Sequence, residues 1–132
     1  MGSVTRRLAE LARPESLRLL GAAPFGRIVY TVRALPAIVP VRHLVDDDMV
    51  IVRTHVGGDC AGAVVAFQAD SIDPVAESGW SITVTGVARR VVDPDEVAHY
   101  EKALTPFVDM PNVEVLRIYP EIIAGYELVS GS

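Results

Sequence analysis

Apolar residues in this chain gather into short runs separated by turn-forming residues, and the spacing of those runs predicts a mainly β protein. Three strand-like runs follow one another at residues 26–32, 35–44 and 49–54. Arg33-Ala34 joins the first two as a tight hairpin, and Asp46-Asp47-Asp48 leads from the second into the third. A fourth run covers 63–70, and a fifth, at 80–92, alternates apolar and polar residues through its first half. Gly86 inside that fifth run predicts a bulge or sharp bend, which small barrels need in order to close. Two further runs, 113–119 and 122–129, flank Pro120.

Helical signals stand at the front of the chain and late in it. Over 3–23, Leu8, Leu11, Leu17, Leu19 and Leu20 fall at roughly helical spacing, with Pro14 and Glu15 opening a second segment and Gly21 offering a stop. That pattern predicts two short helices within 3–22. Near the other end, Asp93 is a natural N-cap, Pro94 fits the first helical position, and Glu96 completes a capping box for a helix running to Leu104. About six strands with short connections predict a closed or split antiparallel barrel; regular strand–helix alternation, the mark of a doubly wound parallel sheet, is missing.

With 132 residues, half of them apolar and 22% charged, the chain reads as a single domain over 1–132 with a real core. The net charge of −5 argues against a nucleic-acid partner, which calls for basic patches. Eleven of the twelve basic residues are arginine, a skew that coding bias explains. Cys60 is the single cysteine and has no cationic sequence neighbour to activate it. No apolar run approaches the ~18 residues of a membrane helix, and no signal peptide is evident, so a cytoplasmic protein is expected.

Candidate chemistry concentrates where the third run ends. Arg53 and Thr54 close an apolar strand just before Gly57-Gly58, a combination that suits an anion such as phosphate. Taken alone, Arg53 reads more readily as an edge charge or salt-bridge partner than as a phosphate ligand, and Trp80 more readily as core or dimer packing than as a flavin contact. The three consecutive aspartates fit a solvated hairpin better than a calcium or magnesium site, whose ligands are spaced. His43, His55 and His99 lack the tight spacing of a metal site, and His43 and His55 are expected near the mouth of any pocket at Arg53.

Several motifs in their order resemble the pyridoxamine-phosphate-oxidase-like split-barrel family of flavin-binding proteins. They are Phe25-Gly26-Arg27-Ile28, Ile38-Val39-Pro40-Val41, Val50-Ile51-Val52-Arg53-Thr54, Val64-Val65-Ala66-Phe67-Gln68-Ala69-Asp70, Gly79-Trp80-Ser81-Ile82-Thr83-Val84-Thr85-Gly86 and Leu116-Arg117-Ile118-Tyr119-Pro120-Glu121. The resemblance implies a six-stranded antiparallel split β-barrel, a homodimer, and two FMN sites at the subunit interface, with a deazaflavin as the variant cofactor. Carried over, Arg53 and Thr54 with the following Gly57-Gly58 loop would hold phosphate. Val39, Pro40, Val41 and Arg42 would border the flavin ring, and Trp80 and Ser81 of the opposite subunit would close it.

One stretch departs from the family pattern. His55-Val56-Gly57-Gly58-Asp59-Cys60-Ala61-Gly62-Ala63 lacks the hydroxyl residue and lysine that many members place there, and it is too short for their helix. The expected function is a flavin- or deazaflavin-dependent oxidoreductase of a small molecule, in which Arg42 or His43 tunes the flavin edge or binds an anionic substrate. The remodelled loop keeps two alternatives open: a non-catalytic protein that stores, carries or senses a flavin or other anionic ligand, and a dimeric scaffold without cofactor. The C-terminal part lacks the extra basic residues that a second phosphate-bearing ligand would want, which argues against oxidation of pyridoxamine phosphate itself.

Overall fold

A computed structural model describes residues 5–107 and 109–131. Its strands are β1 (Thr5–Glu10), β2 (Gly26–Val32), β3 (Leu35–Asp46), β4 (Met49–Thr54), β5 (Val64–Asp73), β6 (Ser78–Arg90) and β7 (Glu114–Gly131). Three helices accompany them: α1 (Arg13–Ala22), the single turn α2 (Gly57–Cys60) and α3 (Pro94–Ala103). All strand pairings are antiparallel, in the order β1-β7-β4-β3-β2-β5-β6, and β6 pairs with β7 as well. Strands β2 to β7 therefore form a closed six-membered ring, with β1 added to the far end of β7. None of the described helices is long and apolar enough to cross a membrane.

The local chemistry predicted from sequence accounts for most of the joints. Both tight hairpins form although neither contains glycine: Arg33 and Ala34 have φ of 52° and 65°, Asp47 and Asp48 of 51° and 60°. Aspartate tolerates that left-handed backbone better than most residues, and the hairpins hold their registers at Val32↔Leu35 and Asp46↔Met49. Asp93 caps α3, its carboxylate accepting from the Glu96 amide at 3.0 Å, with Pro94 in the first turn. At Gly86 the ladder slips: Thr85 faces Ile122 while Gly86 faces Pro120, leaving Glu121 as the extra residue.

Two predicted elements differ. Thr5–Glu10 is a strand paired with Tyr126–Gly131 and not a first helix, so one helix, α1, stands where two were expected. The leucine spacing there misled because the decisive partner lies more than a hundred residues away and local periodicity does not see it. Residues 114–131 form one strand and not two: the bulge opposite Gly86 absorbs Pro120, which needs no ladder hydrogen bond at such a site. Smaller differences follow the same logic. Helix α1 continues through Gly21 to Ala22, and the segment before β5 does contain one helical turn, α2.

The barrel interior is filled by Ile28, Val41, Val50, Val52, Val65, Phe67, Ile82, Val84, Leu116 and Ile118, with Leu20 of α1 packed against them. Of the strand residues expected in the core, Leu128 is only partly buried. Strand β4 is buried on both faces, because Ile51 points outward beneath α3 and joins Val91, Tyr100, Leu104 and Val115. The Tyr100 hydroxyl donates to Asp46 at 2.6 Å, and Arg117 bridges Glu96 at 2.7 Å and the Tyr100 hydroxyl at 3.3 Å, fastening α3 to the barrel.

His43 belongs to this core and not to a pocket mouth. The alternation of β3 turns Val41 and His43 inward while Arg42 faces out. Its ring lies 4.7 Å from that of Phe67, and Nε2 donates to the Leu20 carbonyl at 2.6 Å. Nδ1 is buried without a partner among the described residues. Burial holds this imidazole below its usual pKa, against the opposing influence of the Leu20 carbonyl. A histidine that resists protonation only when folded stabilises the fold fully above its unfolded pKa of about 6.5, and that contribution is lost as pH falls below it. The thermal midpoint is expected to fall between about pH 7 and pH 5 more steeply in the wild type than in His43→Gln, which keeps a donor for Leu20. Parallel slopes in the two proteins would contradict this.

Candidate functional site

The ring of strands splits at one place, and the split makes a cleft. Residues 35–41 of β3 pair with β2, whereas β4 pairs only with residues 42–46. Beyond Thr54, β4 leaves the sheet for α2, so among the described residues the Val39-Pro40-Val41 edge has no strand partner on that side. Thr54 and His55 descend past it, and Pro106, Phe107 and Val113 from the segment after α3 stand opposite. Together with Arg53 these residues line a largely apolar cleft of about 100 Å³.

Five of the predicted ligand-binding residues therefore meet: Val39, Pro40, Val41, Arg53 and Thr54. Proline at position 40 contributes no N–H, so this edge offers a flat, mostly apolar flank. Thr54 is buried, and its hydroxyl accepts from the Val56 amide at 3.3 Å, shaping the exit from β4. Arg42 flanks the cleft and stacks over Phe107, its guanidinium carbon 4.5 Å from the ring centroid.

Arg53 is turned toward the end of α3. Its Nη1 donates to the carbonyls of Glu101 at 3.2 Å and Leu104 at 2.9 Å, and Nη2 lies 3.5 Å from the Glu101 carboxylate. A cation at the last carbonyls of a helix is favoured by the helix dipole. The Nε atom is buried and has no acceptor among the described residues.

The remaining predicted residues lie elsewhere. Gly57 and Gly58 form the first turn of α2, Gly57 packed near the Glu114 side chain and Gly58 exposed, and neither lines the cleft. Cys60 is fully buried, and burial with the neighbouring Asp59 charge pushes its thiol up to about 11, which leaves no thiolate at neutral pH. Trp80 and Ser81 border a separate apolar depression with Leu8, Ile72, Tyr126 and Leu128. Ser81 also accepts from Gln68 at 3.4 Å. Within one chain these two residues do not reach the cleft.

Sequence reasoning did not single out Pro106, Phe107 or Val113. Phe107 meets Phe25 edge to face, with ring centroids 5.7 Å apart at 84°. A proline-aromatic pair just past a helix is a weak signal, and only the way α3 lies across β4 brings it over the β3 edge.

Comparison with known proteins places this geometry among relatives. The family model described as pyridoxamine 5'-phosphate oxidase matches residues 12–127. An uncharacterized protein of Mycobacterium tuberculosis is 45% identical over 136 residues, covering 96% of this chain and 90% of that protein. Among solved structures, an FAD-binding protein from Mycobacterium smegmatis is 32% identical with a TM-score of 0.76, covering 90% of this chain and 98% of its own. A conserved protein of unknown function from Corynebacterium diphtheriae is 25% identical with a TM-score of 0.75, covering 92% and 98%.

Proposed function

The chain belongs to the pyridoxamine 5'-phosphate oxidase family, and from that membership we propose that it is a flavin-dependent oxidoreductase working as a homodimer on a small molecule. FMN is the first choice of cofactor and a deazaflavin the variant. The observation that carries this reading is the unpaired Val39-Pro40-Val41 edge, faced by Thr54, His55, Pro106, Phe107 and Val113. A flat apolar flank with arginines at its border suits a planar ring that bears an anionic tail. The FAD-binding relative from Mycobacterium smegmatis supports the same class of ligand.

The cleft of one chain supports the dimer as well. About 100 Å³ falls short of the roughly 300–1,000 Å³ typical of sites that enclose a small molecule. A second subunit supplying the missing wall resolves the shortfall, and Trp80 with Ser81, outside the cleft of their own chain, are the residues proposed to do so. The apolar depression around Trp80, with Leu8 65% and Ile72 59% exposed, would be covered in the same assembly.

A bound flavin supplies the redox chemistry. The residues of this chain support the ring on the β3 edge, shield it with Phe107 and Pro106, and hold its charged tail. Among the described residues that line the cleft, His55 is the side chain able to give or take a proton, so proton transfer at the ring would fall to His55 or to the substrate. That sparse acid–base equipment favours, as the second reading, a protein that carries or senses a flavin. Steady substrate turnover by the loaded protein would set that second reading aside.

Titration of the purified protein with FMN and with a deazaflavin, followed by fluorescence, is expected to show saturable binding at micromolar concentration or below. Light scattering of the same sample is expected to give a dimer. Failure of both ligands to bind, or a monomer at micromolar concentration, would overturn the proposal.

A further inference from the structure

The phosphate grip expected at Arg53 is already occupied by the protein itself. Three oxygens surround its guanidinium: two carbonyls at the end of α3 and the Glu101 carboxylate. An incoming anion would have to displace them and would meet the Glu101 charge while doing so. The remaining Nε is covered.

Beside Arg53, its cross-strand partner Arg42 and, one strand further on, Arg27 are cations with hydrogen-bonding capacity to spare. Arg42 directly follows the cleft-lining Val41 and is exposed. Among the described residues it makes no side-chain hydrogen bond or ion pair; its guanidinium rests on Phe107. Phe107 meets Phe25, and Arg27 stands over Phe25 with its guanidinium carbon 5.6 Å from the ring centroid. Arg27 has one long contact, to Gln68 at 3.5 Å. Arg42, Phe107, Phe25 and Arg27 thus form a continuous ladder in which each arginine lies against an aromatic ring. Such stacking leaves the N–H groups at the guanidinium edges available for a two-pronged contact with phosphate oxygens.

We infer that the phosphate ester of the bound ligand is taken by Arg42, seconded by Arg27, while Arg53 is a positioning residue that fastens α3 and the Phe107 segment to β4. This assignment rests on the flavin reading above. It deepens that reading by exchanging the phosphate ligand expected from the end of β4 for its cross-strand neighbour on β3. Both a terminal phosphate, as in FMN, and an internal pyrophosphate, as in FAD, present the chemistry that the ladder recognises.

Dissociation constants for riboflavin, FMN and FAD, measured by fluorescence on the wild type, Arg42→Gln, Arg53→Gln and Arg53→Lys, test it. Riboflavin reports the ring alone, and the preference for FMN or FAD over riboflavin reports the phosphate. The wild type is expected to prefer a phosphorylated flavin, with FMN against FAD distinguishing the terminal phosphate from the pyrophosphate. Arg42→Gln is expected to weaken that ligand about ten- to a hundredfold while leaving riboflavin within about twofold. The Arg53 variants are expected to lower the thermal midpoint and keep the preference; Arg53→Lys retains a cation for the α3 carbonyls should Arg53→Gln not fold. An unchanged preference in Arg42→Gln, or its loss in the Arg53 variants with riboflavin still bound, would overturn the inference alone. A wild type that binds none of the three would overturn the flavin reading and this assignment with it.

Discussion

Gly86→Ala is expected to destabilise the barrel by about 4 kcal/mol or more, a large share of the ~5–15 kcal/mol that holds a domain of this size folded. A β-carbon at position 86 would overlap the Tyr119 carbonyl oxygen and stand 2.8 Å from its carbon and 3.3 Å from the Glu121 amide nitrogen. All three are backbone atoms, so no side chain can swing away to make room. Relief requires β6 and β7 to separate where they close the ring, at the position where the ladder already slips past Glu121. Gly58→Ala is the matched control, because nothing lies within 4 Å of a β-carbon there. Urea unfolding of both variants checks the claim, and a Gly86→Ala midpoint close to that of Gly58→Ala would refute it.

Phe67→Ala is expected to cost about 3–5 kcal/mol, the range for removing a large aromatic from a closed core. The ring is fully buried, tilted against His43, and fills space that exists because residue 26 is glycine. A β-carbon at Gly26 would overlap the Phe67 ring tip and lie 2.8 Å from the Gln68 carbonyl oxygen. The two positions are therefore coupled. Gly26→Ala is expected to be less damaging in the Phe67→Ala background than in the wild type, by at least ~0.5 kcal/mol in a double-mutant cycle. The Gln68 carbonyl remains in the way, so relief is partial. Strict additivity would show that the ring and the glycine do not share the space in solution.

What the sequence made legible divides along the range of the forces involved. Asp93 capping α3 and the two tight hairpins are decided within a few residues and stand where local chemistry placed them, whereas Gly86 marks an irregularity whose extra residue, Glu121, lies on the partner strand. Thr5–Glu10 became a strand because of Tyr126–Gly131, and Pro120 stayed inside a strand because of Gly86. Neither outcome is written near the residues it concerns.

The site divides in the same way. Val39 to Val41, Arg53 and Thr54 come together because they lie on neighbouring strands joined by one hairpin. The partners that decide what those residues can do come from farther along the chain. Glu101 and Leu104 occupy Arg53, and Phe107 supports Arg42. An arginine at a strand end announces a positive charge; its occupant depends on how a helix some fifty residues later lies across the sheet. His43 shows the converse. Its neighbours in sequence suggested a pocket, while the two-residue period of its own strand already turned it inward beside Val41.

One long strand makes every late closure in this molecule depend on the same stretch of chain. Strand β7 borders β4, β6 and β1 in turn along its eighteen residues. During synthesis the ribosome must deliver residues 114–131 before the ring can shut, and until then β4 and β6 both present open edges to the surroundings. Hairpins β2–β3, β3–β4 and β5–β6 can form early, since their partners are adjacent in sequence, whereas the seam with β7 waits on the most distant pairing. The nascent chain thus passes through an interval in which it is vulnerable to joining the wrong neighbour, and chaperone demand should be set by how quickly this last segment docks.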